Sequence, residues 1–135
     1  MALQLSVAVR NAMLDAIETT IGTSAVLKIR TGAPPASVAT ADSGTVLATL
    51  TLPSDWMAAA SGGSKAKSGT WEDASADAAG TAAHYRIYAS DGTTAHLQGT
   101  VTATGGGGDL VVDNAVFAAG QSFSITSFSL TAPNS

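Results

Sequence analysis

His84 and His96 are the residues of this 135-residue chain best suited to metal chemistry. They flank Asp91-Gly92, so a hairpin turn there would bring them near one another on paired strands. A transition-metal centre would need a third ligand, Asp91 or Asp109, at coordination distance. The simpler reading is a pair of polar-face histidines. Calcium takes about six or more oxygens, usually from carboxylates clustered in one loop. Asp73 and Asp77, in DASADAAG, lack the alternating acids and closing Glu of such a loop, and Asp42 and Asp109 stand apart. They read as solvated loop acids. Thr104–Leu110, TGGGGDL, lacks the Lys-Ser/Thr of a phosphate loop, and no helix opens after it. Its glycines suit a flexible or tightly curved connection, or close approach by another subunit's backbone.

Acid–base and nucleophilic chemistry is no better supplied. Ten acidic residues allow a carboxylate pair, but sugar hydrolysis also needs one of them desolvated beside aromatic platforms. Trp56 and Trp71 are available as platforms, yet they read first as large anchors of a core. No serine sits in a nucleophile-elbow pattern. The absence of cysteine removes thiolate nucleophiles, thiolate metal sites and disulfides. The expectation is a protein that is not an enzyme and uses no cofactor or metal.

The elements that carry these residues are mostly strands. Ser6 to Ile21 is the one good helix, with Val9, Met13, Ile17 and Ile21 recurring every four residues and Leu14 widening the stripe. Arg10, Asp15 and Glu18 fall off it. Ser6 suits the N-cap and Gly22 the left-handed C-terminal position. Arg10 near the start and Glu18 near the end oppose the helix dipole, so packing must hold this helix. It either covers one end of the domain or docks on a partner.

Ala25–Thr31 reads as a strand with Ala25, Leu27 and Ile29 inward and Lys28 and Arg30 outward. Gly32–Gly44, with Pro34 and Pro35, is a patternless loop. Thr45–Leu52 is a strand stopped by Pro53. Short strands are expected near Asp55–Ala59 and Lys67–Trp71, joined by Ser61-Gly62-Gly63-Ser64. Glu72–Gly80 is a surface loop. From Thr81 to Thr131 the chain reads as a β-meander, with Ala83, Tyr85 and Ile87 alternating against His84, Arg86 and Tyr88. A strand over about Thr94–Ala103 and another over Leu110–Asp113 follow. Phe123 and Ile125 have one parity, Phe128 and Leu130 the other, which predicts a β-bulge near Thr126-Ser127 that brings all four to one core. The fold class is therefore mainly β: an antiparallel β-sandwich, jelly-roll-like, with one N-terminal helix, in a single domain over 1–135.

Composition limits the partners. Hydrophobic residues are 45% of the chain, aromatics 5% and charged residues 12%, about half the usual charged fraction. Such a neutral surface is either a Thr-covered sheet or a surface buried against neighbours. The net charge of −4 and the scattered basic residues argue against nucleic acid. No stretch of about 20 apolar residues is present to span a membrane, and the N-terminus does not read as a signal peptide.

The phrases HYRIYASDGTTAHLQGTVTATGGGGDLVVDN and AAGQSFSITSFSLT resemble a family of small tailed-bacteriophage virion proteins, with a weaker echo in TVLATLTLP at Thr45–Pro53. The resemblance covers mainly Thr81–Thr131 and implies a β-sandwich module decorating the head or another part of the particle. It brings no catalytic residues. The function it implies is that of a capsid decoration or cement protein, binding assembled major capsid protein or other virion proteins. It implies a chain made in the host bacterial cytoplasm and residing in the virion. Self-association as a dimer or trimer is expected as well. The alternative is a tail- or fibre-associated receptor- or glycan-binding module using Trp56, Trp71 or Tyr88. The candidate interaction surface is Val9, Met13, Ile17, Trp56 and Trp71.

Overall fold

The structure is a computed structural model that describes residues 3–133. Helix α1 spans Val7–Ile21, with the Ser6 hydroxyl accepting the Val9 N–H at 3.2 Å and Gly22 ending it at φ +93°. Eleven short strands follow among the described residues: β1 Val26–Arg30, β2 Val46–Thr51, β3 Ser64–Ala66, β4 Trp71–Asp73, β5 Gly80–Thr81, β6 His84–Tyr88, β7 Ala95–Ala103, β8 Leu110–Val112, β9 Val116–Phe117, β10 Phe123–Ile125 and β11 Ser129–Thr131. The fold is mainly β and sandwich-like, as expected. One sheet has the order β2-β1-β6-β7-β8, and the remaining strands form the ribbons β10-β4, β11-β3 and β5-β9.

Alternation along the central strands builds two unlike faces. Leu27 and Ile29 of β1 lie opposite Ile87 and Tyr85 of β6, and opposite Leu50 and Ala48 of β2. This is the apolar face. Together with Trp56, Trp71, Phe117, Phe123, Ile125 and Phe128 these residues form one buried cluster. A chain of rings runs through it, with Trp56 6.0 Å from Trp71, Trp71 5.5 Å from Phe128, and Phe128 5.7 Å from Tyr85. The other face carries Lys28, Arg30, His84, Arg86, Tyr88 and, from β7, Gln98. Every residue of β6 is buried, so this polar face is covered too.

Several details depart from expectation: in place of strands near Asp55–Ala59 and Lys67–Trp71 the chain forms β3 at Ser64–Ala66 and β4 at Trp71–Asp73, with only an isolated bridge between Met57 and Lys67. Arg30, expected outward, is buried because the Gly32–Gly44 segment folds back over it. Strand β8 pairs with β7 in parallel, Val101 opposite Leu110, although an antiparallel return was expected. The glycine run makes this possible: Gly105 and Gly107 take positive φ, and a Cβ at Gly106 would lie 2.5 Å from that of Thr102. The chain can therefore reverse twice in a short span and return alongside β7. Finally, the predicted bulge is a full break at Thr126–Phe128, where the chain leaves β4 and begins pairing with β3. Phe123, Ile125 and Phe128 are buried on the core as predicted, while Leu130 is half-buried against it.

Candidate functional site

Side chains that sequence spacing placed at the surface and those it placed in the core have partly exchanged roles. Helix α1 buries Arg10, Leu14 and Ile21. Its anchoring is chiefly polar and uses Asn11, Asp15 and Glu18, whose 4-then-3 spacing puts them on one helix face. The Asn11 side-chain oxygen accepts the Gly63 N–H at 2.9 Å, Asp15 accepts that of Ala60 at 3.0 Å, and Glu18 accepts that of Met57 at 3.1 Å. These three amides lie along the 57–63 stretch, and the helix supplies their acceptors where another strand otherwise would.

Two cations complete the joint. The Lys65 ammonium, buried, donates to Asp15 at 2.7 Å, Glu18 at 2.9 Å and the Ala58 carbonyl at 2.9 Å, which satisfies its three protons. Burial disfavours this ammonium, but its bonds to Asp15 and Glu18 outweigh that and hold its pKa above the usual lysine value. Arg10 donates Nε and Nη2 to the Ala132 carbonyl at 3.2 and 2.9 Å. Its guanidinium also rests on Gly63, where any Cβ would collide with it. Gly62 and Gly63, at φ +60° and +78°, form a two-residue hairpin turn between Ser61 and Ser64.

Arg10 and Glu18 turn inward and Asp15, its side chain 48% exposed, is tied to the hairpin side, so the outward face of α1 is made of Ala8, Val9, Ala12, Met13, Ala16, Thr19 and Thr20. It has no charge. Val9 is 46% exposed and Met13 45%, so both candidate contact residues stand at the surface. Ile17 is half-buried against the core. A groove of about 250 Å³ runs beside them, lined by Met13, Ala16, Ile17, Thr20, Ile21 and His96.

The tryptophans are the core anchors they first read as, and their place in the candidate interaction surface is corrected. Trp56 and Trp71 are both fully buried and cannot meet a partner from inside the folded domain. Their indole N–H groups are also committed, Trp56 to the Gly22 carbonyl at 2.9 Å and Trp71 to the Trp56 and Ser68 carbonyls. In a chain with so few aromatics the core claims all of them: each Trp, Tyr and Phe is at most 7% exposed.

A second polar cluster organises the far face of the sheet. Arg86, 2% exposed, donates through Nη2 to the Ser37, Val38 and Thr40 carbonyls, through Nη1 to Asp42, and through Nε to Gln98. Asp42 also accepts from Arg30 at 2.9 Å and from the Tyr88 hydroxyl at 2.8 Å. His84 Nδ1 lies 2.7 Å from the Gly32 carbonyl, and the Gln98 amide donates to Pro35 O. The segment that looked patternless is thus a strap over two arginines. Its signal, visible only in part, was an Asp in a loop and basic residues sharing one face of two strands, which prove to be neighbours. His96, by contrast, is exposed at the helix groove, and the two histidines are not brought together. Among the described residues no three His, Asp or Glu side chains are grouped to hold a metal.

Burial pushes the Asp42 carboxyl up, but hydrogen bonds from Arg86 and Tyr88 and the charges of both arginines outweigh this. Its pKa falls below the ordinary 3.8. A carboxyl depressed in the folded state contributes stability above its unfolded pKa and loses it as pH falls through the folded value. The strap should therefore stay closed from neutral pH down to about pH 4 and loosen below it. Amide exchange over residues 33–43 measured at pH 7 and at pH 3 checks this. Asp42→Asn should weaken the strap already at pH 7 and flatten its acid response. An unchanged acid response in that variant would assign the effect to another carboxyl.

The chain matches no protein-family model, no curated protein and no solved structure.

Proposed function

We propose that this chain is a non-enzymatic structural protein of a tailed-phage particle, a decoration protein that binds assembled major capsid protein across its seams. One observation carries the reading: the fold uses its positive charge internally. Of the six basic side chains, Arg10, Arg30, Lys65 and Arg86 are buried, and Lys28 and Lys67 are half-buried. The exterior that results is acidic, with Asp55, Glu72, Asp77, Asp91, Asp109 and Asp113 exposed and no basic residue fully so, and it includes an uncharged helix face. Depletion of lysine is characteristic of surfaces that end up covered by protein. The resemblance of Thr81–Thr131 to small virion proteins supports the same reading.

Each copy need add only a few kcal/mol, because many copies act on one shell. A ligand that binds only the assembled state raises the stability of that state by mass action. The glycan-binding alternative loses its platforms, since stacking on sugar needs an exposed ring and Trp56, Trp71 and Tyr88 are all buried.

Particles lacking the protein should assemble but release DNA at a lower temperature, and adding the purified protein should restore them. Mass spectrometry of particles should count it in hundreds. Depleted particles as heat-resistant as complete ones, yet unable to adsorb to cells, would overturn the decoration reading.

A further inference from the structure

We infer that the outward face of α1 pairs with the same face of a second copy, antiparallel about a two-fold axis. This rests on the virion reading and names the partner of one of its surfaces. Val9, Met13, Ala16 and Thr20 are spaced 4, 3 and 4 residues apart, the spacing of a coiled-coil seam. Helical packing inside the domain leaves this seam outward. Met13, Ala16, Ile17 and Thr20 stand at i, i+3, i+4 and i+7, the four corners of the hole that receives a knob from a facing helix. They are also four of the side chains lining the groove beside α1. The surface has both knobs, Val9 and Met13, and a hole.

The occupant follows from charge and size. A two-fold contact sets a patch against itself, so any charge would meet its own sign. This patch has none, because Arg10, Asp15 and Glu18 are all committed to the hairpin side. An antiparallel pairing centred between residues 14 and 15 sets Val9 opposite Thr20 and Met13 opposite Ala16. Met13, the largest side chain of the seam, then faces Ala16, the smallest, and the two similar-sized β-branched residues Val9 and Thr20 face each other, as close packing requires. A parallel pairing would set Met13 on Met13 and Ala16 on Ala16, crowding one layer and leaving the next empty. Opposed helix dipoles favour the antiparallel arrangement as well.

The contact is short. A 15-residue helix presents about four turns, less than the roughly 800 Å² per partner of a standard stable interface. The dimer should therefore be weak in dilute solution and fill as copies concentrate on a shell.

Sedimentation equilibrium of the purified full chain over a wide concentration range is the test. A monomer–dimer equilibrium is expected, weakened at least tenfold by Ala16→Glu, which points a charge into the seam from an exposed position. Unchanged thermal unfolding of that variant would show that folding is intact. The chain has no cysteine, so single replacements report orientation cleanly. Met13→Cys mixed with Ala16→Cys should cross-link to each other in preference to themselves. A chain monomeric at every concentration, a dimer indifferent to Ala16→Glu, or cross-linking only of like with like would each overturn the pairing. Finding the protein in particles while it stays monomeric would reject the pairing and leave the virion reading standing. A dimer that never enters particles would do the reverse.

Discussion

Replacing Arg86 by methionine should destabilise the domain by roughly 3–5 kcal/mol, the cost of removing one partner from a buried ionic cluster. The side chain is 2% exposed and all three guanidinium nitrogens are engaged. Methionine fills similar volume but leaves the Val38 and Thr40 carbonyls without the donor they have in Arg86, and Ser37 O with only the Thr40 N–H. It also leaves Asp42 with only Arg30 and Tyr88. Those groups recover hydrogen bonds only by turning to water, which means lifting the 32–44 strap from the sheet. Urea unfolding should show the lower stability, and amide exchange should show that the strap is where protection is lost first. Arg86→Lys should recover only part of it, since an ammonium supplies the charge without the planar fork. A methionine variant within about 1 kcal/mol of the parent, its strap still protected, would mean that the other contacts hold the strap alone.

Phe128→Ala should cost a similar amount, roughly 3–5 kcal/mol, for a different reason. The ring is 5% exposed and packs between Trp71 and Tyr85, so truncation leaves a cavity that two other large rings cannot close. It also sits where the chain changes partner from β4 to β3, and its carbonyl accepts the Lys67 N–H at 2.9 Å. Leu130→Ala, at a half-buried position of β11, should cost clearly less, about 1–2 kcal/mol. Against a total stability of about 5–15 kcal/mol, the difference between the two is readily measured in urea. Equal losses at both positions would show that Phe128 is not the enclosed side chain of the pair.

Several elements were legible from local pattern alone. Ser6 and Gly22 bound the helix because an N-cap hydroxyl and a left-handed glycine act within one turn. The strands at β1, β2, β6 and β7 followed from alternation, and the Asp91-Gly92 turn from its residue types. The need for an irregularity near Thr126-Ser127 followed from parity, because two apolar pairs on opposite faces cannot share one core without it. Whether that irregularity was a bulge or a change of strand partner depended on β3 and β4, which lie far away in sequence.

The helix marks the limit of such reasoning most clearly. Its apolar repeat was the strongest periodic signal in the first 22 residues, and hydrophobicity alone left open whether that stripe enters the core or docks on a partner. In the fold a row of amides at Met57, Ala60 and Gly63 lay nearby needing acceptors, and Lys65 was buried needing anions. A buried unpaired donor or cation costs more than a half-exposed valine, so the polar face turned inward and left Val9 and Met13 outside.

The same competition explains the strap. Alternation in β1 and β6 determined that Lys28, Arg30, His84, Arg86 and Tyr88 share a face, because side chains on a strand must alternate. It did not determine what covers that face. Only the folded chain brings residues 32–44 across it, and only then does Asp42 meet Arg30, Arg86 and Tyr88. Periodicity is a property of neighbouring residues and can be read along the chain. Satisfaction of buried charge is a property of residues brought together from a distance, and the tertiary structure decides it.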